Sequence, residues 1–99
     1  TAFSLGAARE RYAACARAMG VAGDADSDER ASGALLDELR SINADLQMPT
    51  LVRFGVDEAA FRRAVPGMAR QALASGSPSN NPRVPTESEI AEIYLRLLD

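Results

Sequence analysis

The sequence predicts an all-α fold, a small helical bundle of about four to five helices. Three observations carry that prediction. Apolar residues recur at three- and four-residue spacing in several stretches, which places them on one face of a helix. Residues suited to capping, Ser27, Asp57 and Thr86, stand directly ahead of such stretches. No stretch alternates with the period of two that a half-buried strand needs.

The elements follow in order. Leu5, Ala8, Tyr12, Cys15, Ala16 and Met19 form the first helical stripe, and Gly20 is a suitable stop because glycine accepts the left-handed backbone of a helix end. This stripe predicts Cys15 as a core thiol. Gly23 to Glu29 is a polar loop in which Ser27 caps the next helix, with Asp28 and Glu29 in its first turn favoured by the helix dipole. Leu35, Leu36, Leu39, Ile42 and Leu46 line the second helix, and Pro49 ends it by driving Met48 out of helical geometry. Leu51 to Gly55 reads as a connector. Asp57 opens a third helix holding Phe61 and Val65, and Pro66 kinks or restarts it before Met68, Ala69, Ala72 and Leu73 carry it to Gly76. Thr86-Glu87-Ser88-Glu89 is a capping box, and Ile90, Ile93, Tyr94, Leu97 and Leu98 give the last helix its apolar face.

Composition removes several classes of function. The 99 residues suit one domain, with 11 basic and 14 acidic side chains and a formal net charge of −3. Every basic residue is Arg. The absence of His excludes a catalytic triad, a His-supported metal site and an imidazole switch. A single Cys excludes an internal disulfide and a Cys-rich zinc site. The acidic balance argues against nucleic acid as a partner. No apolar run approaches the roughly 20 residues of a membrane span, so no membrane is expected and a cytoplasmic location is. Nineteen residues are Ala, so the apolar share is made of small side chains, a bias that reads as genome composition.

Isolated motifs are weak. Asp24, Asp26 and Asp28 alternate like the start of a calcium loop, but the sixth and twelfth positions are Glu29 and Leu35 where Gly and Glu are needed. Asp26-Ser27 resembles the modified serine of an acyl carrier protein, yet Asp28 follows where Leu or Met is usual. Arg62-Arg63 is a solvated pair, and Asp37 and Glu38 diverge on their helix. An independent helical interaction module is the other alternative.

The informative stretch is Ser77 to Pro85, with three prolines, two asparagines and two serines. Each proline fixes its own φ and restricts its predecessor, so this loop has little entropy to lose on folding. Asn80 and Asn81 can bond nearby backbone, and Arg83 offers five donors to a carboxylate or to helix carbonyls.

Asn81-Pro82-Arg83 followed by the Pro85-Thr86 cap resembles the C-terminal end of iron-containing (group III) alcohol dehydrogenases. Three further pieces agree in order. Tyr12-Ala13 through Gly20 is similar to the family's Tyr-Ala-x-x-Ala-x-x-x-Gly helix. Leu46-Gln47-Met48-Pro49-Thr50-Leu51 is similar to its Gly-Leu-Pro-Thr-x-Leu turn, with Gln47 and Met48 departing from the commoner pair. Phe54-Gly55-Val56 before an acidic helix start is similar to its Leu-Gly-Val segment. The likeness covers residues 7 to 98.

The resemblance implies the distal part of a dehydroquinate synthase-like helical domain, in a C-terminal fragment of a larger two-domain enzyme. It implies an N-terminal α/β domain for NAD(P), and iron or zinc held by one Asp and three His upstream of this chain. The activity implied is interconversion of an alcohol with an aldehyde or ketone by hydride transfer, in an enzyme that forms homo-oligomers. Within residues 1–99, treated as a single helical domain, it implies no catalytic, cofactor or metal residue, so the chain alone would be inactive and bind neither iron nor nucleotide. Ser77, Pro78 and Asn80 are implied to touch a small alcohol or aldehyde substrate, and Asn81, Pro82 and Arg83 to hold the loop.

Overall fold

The computed structural model describes residues 1–99 and is all-helical, with no strand. A 3₁₀ turn (Ala2–Ala7) precedes α1 (Arg9–Ala18), α2 (Asp28–Asp45), α3 (Leu51–Phe54) and α4 (Glu58–Ala74). A second 3₁₀ turn (Ser77–Asn80) then leads to α5 (Glu87–Leu95). No helix is long and apolar enough to cross a membrane. The chain divides into two compact units, Thr1–Met48 and Pro49–Asp99.

In the first unit α1 packs on α2 through small side chains. Ala13 and Ala16 of α1 meet Ala31 and Leu35 of α2, all buried, with Tyr12, Val21, Ala22 and Leu39 packed around them. The distance between packed helices is set by the side chains at their contact, so alanine there lets the backbones approach closely. The alanine content is therefore partly architectural. Leu35 is the one large residue at the centre of this core, 4% exposed. Leu46, on the stripe predicted from the sequence, is 68% exposed, because the α2 face in contact with α1 ends before the last turn.

Cys15 corrects an expectation. It is exposed. The buried face of α1 is the narrow line of Ala13 and Ala16, and Cys15 lies to one side of it. The predicted first helix is also interrupted. Ala8, at φ −137° and ψ 34°, separates the 3₁₀ turn from α1, so Leu5 lies outside the stripe it was assigned to.

Arg17 holds the α1–α2 loop. Its guanidinium donates to the Gly23 carbonyl at 3.3 Å, the Asp26 carbonyl at 2.7 Å and the Asp28 carboxylate at 2.9 Å. Asp26 accepts from the Gly23 N–H at 2.8 Å and lies 3.4 Å from Arg30. Two of the three alternating aspartates, Asp26 and Asp28, therefore bond to the chain's own donors. Ser27 caps α2, its hydroxyl accepting the Arg30 N–H at 3.2 Å.

In the second unit Thr50 caps α3, a single turn where the sequence suggested only a connector. The Leu51 N–H donates to the Leu97 carbonyl at 3.0 Å and ties α3 to the end of α5. Asp57 caps α4, accepting the Ala60 N–H at 2.6 Å. Pro66 neither ends nor restarts α4, which runs through it. Pro66 is exposed while Val65 and Ala69 are buried, so the bond that proline cannot make is lost on the solvent side, where water can replace it. Val65, Ala69, Pro85, Ile90 and Leu98 are buried in this unit.

Three helix ends close in the same way. At α1, α2 and α3 a left-handed residue, Gly20 (φ 74°), Gln47 (φ 52°) or Gly55 (φ 101°), permits a Schellman closure. The residue after it donates directly back to a helix carbonyl: Val21 to Ala16 at 3.0 Å, Met48 to Asn43 at 2.9 Å, Val56 to Leu51 at 3.0 Å. Gln47 is the only non-glycine residue with positive φ. The turn it resembles carries Gly at this position, which the backbone favours.

Candidate functional site

The segment from Ser75 to Glu89 is an interlocked set of hydrogen bonds between α4 and α5. Gly76, at φ 76°, turns the chain out of α4. The Ser75 hydroxyl donates to the Ala72 carbonyl at 2.6 Å and accepts the Ser77 N–H at 3.3 Å. Ser79 donates twice to the Gly76 carbonyl, through its N–H at 3.2 Å and its hydroxyl at 2.6 Å. The Asn81 N–H donates to the Pro78 carbonyl at 3.1 Å, closing the 3₁₀ turn, and its side-chain amide donates to the Arg83 carbonyl at 2.7 Å. The side chain of Asn81 thus acts as a backbone surrogate across Pro82, which lacks an N–H.

The far end of the loop is fastened by Glu89. One carboxylate oxygen pairs with Arg83, and the other accepts the Thr86 N–H at 2.9 Å. The Thr86 hydroxyl in return accepts the Glu89 N–H at 3.3 Å, which completes the predicted capping box. The Thr86 N–H chiefly, helped by the Arg83 charge, holds the Glu89 carboxyl below its ordinary 4.5. Arg70 of α4 lies 3.6 Å from Glu87, a second link to the start of α5. Pro85 is buried.

The residues that the sequence marked divide into two kinds. Asn81 and Arg83 are committed to holding the loop, as are Ser75 and Ser79, which sequence reasoning did not single out. The Ser77 hydroxyl and the Asn80 amide enter no hydrogen bond within the chain. Ser77 and Asn80 are exposed and Pro78 is half-buried, all three on the 3₁₀ turn. The second role of Glu89 was also missed. Its signal was present as Arg83 lying six residues before a capping-box Glu, within reach of the free carboxylate oxygen.

The chain does not fit a catalytic metal. It has no His, and no three His, Cys, Asp or Glu side chains come together to hold an ion. Arg62 pairs with Glu58 at 2.8 Å and Asp37 with Arg40 at 3.3 Å, ordinary solvated pairs within their helices. The arrangement leaves one hydroxyl, that of Ser77, and one amide, that of Asn80, unengaged on a fastened turn.

A family model described as Fe-containing alcohol dehydrogenase family, C-terminal, matches residues 1–98. The chain is 37% identical to 1,3-propanediol dehydrogenase of Citrobacter freundii over 93 residues, covering 93% of this chain and 23% of that protein. It is 32% identical to lactaldehyde reductase of Escherichia coli (strain K12) over 85 residues, 86% of this chain and 22% of that protein. It is 27% identical to NADPH-dependent butanol dehydrogenase of Clostridium saccharobutylicum over 86 residues, 86% and 22% respectively. No solved structure matches the chain significantly. The chain belongs to the iron-containing alcohol dehydrogenase family, in its C-terminal helical part. It spans less than a quarter of the length of these curated relatives.

Proposed function

We propose that this chain is the distal helical portion of a two-domain, NAD(P)-dependent alcohol dehydrogenase that interconverts a small alcohol with an aldehyde or ketone. The family match over residues 1–98 and the small share of each relative that the chain covers support this reading. In it, residues 1–99 form a single helical domain that acts as scaffold and cleft wall. The metal, iron or zinc, and the nucleotide are held by the rest of the protein, and the isolated chain is inactive. The homo-oligomeric state and the cytoplasmic location belong to the same proposal.

Ser77, Pro78 and Asn80 form the substrate-facing part of the wall. One observation carries that choice: every other polar side chain from Ser75 to Arg83 is spent on holding the loop, whereas those of Ser77 and Asn80 are unengaged. Each can hydrogen-bond a hydroxyl or carbonyl oxygen, and Pro78 supplies a rigid apolar surface between them. These groups bind and orient substrate, and they transfer neither hydride nor proton.

The coding sequence upstream tests the two-domain reading. An in-frame extension carrying one Asp and three His at metal-ligand positions is expected. A stop codon immediately before Thr1 would contradict it.

A further inference from the structure

The end of α4 departs from those of α1, α2 and α3. At α1, α2 and α3 the amide two residues past the last turn donates directly to a helix carbonyl, at 2.9–3.0 Å. At α4 the equivalent amide is that of Ser77 and the equivalent carbonyl that of Ala72, yet the Ser75 hydroxyl stands between them. It accepts from the one at 3.3 Å and donates to the other at 2.6 Å. A hydroxyl supplies one donor and two acceptor sites, so this bridge satisfies both backbone groups. It also holds Ser77 one hydroxyl further from the helix than direct closure would. The Gly76 N–H still bonds the Leu73 carbonyl at 3.1 Å, so the first half of the closure is ordinary and only the second is displaced.

We propose that Ser75 is a positioning residue for the substrate-facing turn: its hydroxyl sets how far Ser77, and with it Pro78 and Asn80, stands off the end of α4. The proposal rests on the substrate role given to that turn above. Without the hydroxyl, the Ser77 N–H has the same carbonyl available that its three counterparts use. The turn then draws toward the helix, while α4 keeps its left-handed Gly76 and its remaining closure bond. Ser75 and Ser77 are both exposed, so the shift meets no packed core.

The experiment compares Ser75→Ala and Ser75→Thr with wild type in the full-length gene product, since threonine keeps the hydroxyl. For Ser75→Ala, KM for alcohol is expected to rise about threefold to tenfold, the loss of one well-placed hydrogen bond. KM for nucleotide and melting temperature should stay at the wild-type values. Ser75→Thr should restore KM for alcohol, and hydrogen exchange in the peptide 75–83 should change in the alanine variant alone. An unchanged KM for alcohol in Ser75→Ala would overturn the proposal. So would a threonine variant that behaves like alanine, or parallel losses in nucleotide affinity and melting temperature. A wild-type protein with no alcohol-dependent nucleotide reduction would instead overturn the dehydrogenase reading, and the substrate role of Ser75 with it.

Discussion

Leu35 and Leu46 lie on the stripe of α2 that the sequence predicts to be buried, and the structure separates them sharply. Leu35 is 4% exposed in the α1–α2 core, and Leu46 is 68% exposed past the end of the contact. Truncation to alanine removes three carbons from each. At about 0.8 kcal/mol per buried carbon the transfer loss at Leu35 is about 2.3 kcal/mol. The rigid alanine surroundings leave a cavity that raises the total to about 3 kcal/mol. Leu46 is buried over only a third of its surface and closes no cavity, so its loss is about 0.8 kcal/mol. Urea unfolding of the two variants, followed by far-ultraviolet circular dichroism, measures the difference. Equal costs for Leu35→Ala and Leu46→Ala would refute the placement of the core, because the sequence stripe alone predicts equality.

Other expected outcomes test the remaining parts of the architecture. Ala16→Leu should destabilise the first unit by at least about 1–3 kcal/mol in urea unfolding, since the α1–α2 contact has no room for a larger side chain. Arg17→Ala should cost about 1–2 kcal/mol, and Arg17→Lys should recover little because one ammonium cannot span the Gly23, Asp26 and Asp28 acceptors. Gln47→Gly should stabilise the chain by about 0.5 kcal/mol, the left-handed strain relieved less the added chain entropy. Glu89 should titrate below 4.5 by carboxyl-detected NMR. Its capping contribution is complete above the unfolded value and is lost as pH falls through the lowered folded one. Arg83→Ala should move that titration upward, and an unchanged midpoint would show that the pair is not formed in solution.

Much of the fold was legible because it rests on local chemistry. Ser27, Asp57 and Thr86 cap the helices they precede, and Gly20 and Gly76 adopt the left-handed backbone expected just past a helix end. Features that depend on tertiary contact were not legible. The exposure of Cys15 follows from how narrow a strip of α1 meets α2, and the continuity of α4 through Pro66 follows from which side faces water. Helix α2 ends at Asp45 and turns at the left-handed Gln47, before Pro49 can act, because the closing bond from Met48 to Asn43 is already made. At the loop, the prolines and asparagines announced rigidity. The division of labour among the serines required distances, since Ser75, Ser77 and Ser79 are indistinguishable by type and only their partners separate them.

Under the proposed function, the turn after α4 faces substrate in an alcohol dehydrogenase. Steady-state kinetics of Asn80→Ala in the full-length, metal-loaded gene product test it most directly. The account predicts a KM for alcohol about twofold to tenfold above wild type, with KM for nucleotide unchanged. An Asn80→Ala protein with wild-type KM for every alcohol that the enzyme turns over would contradict it.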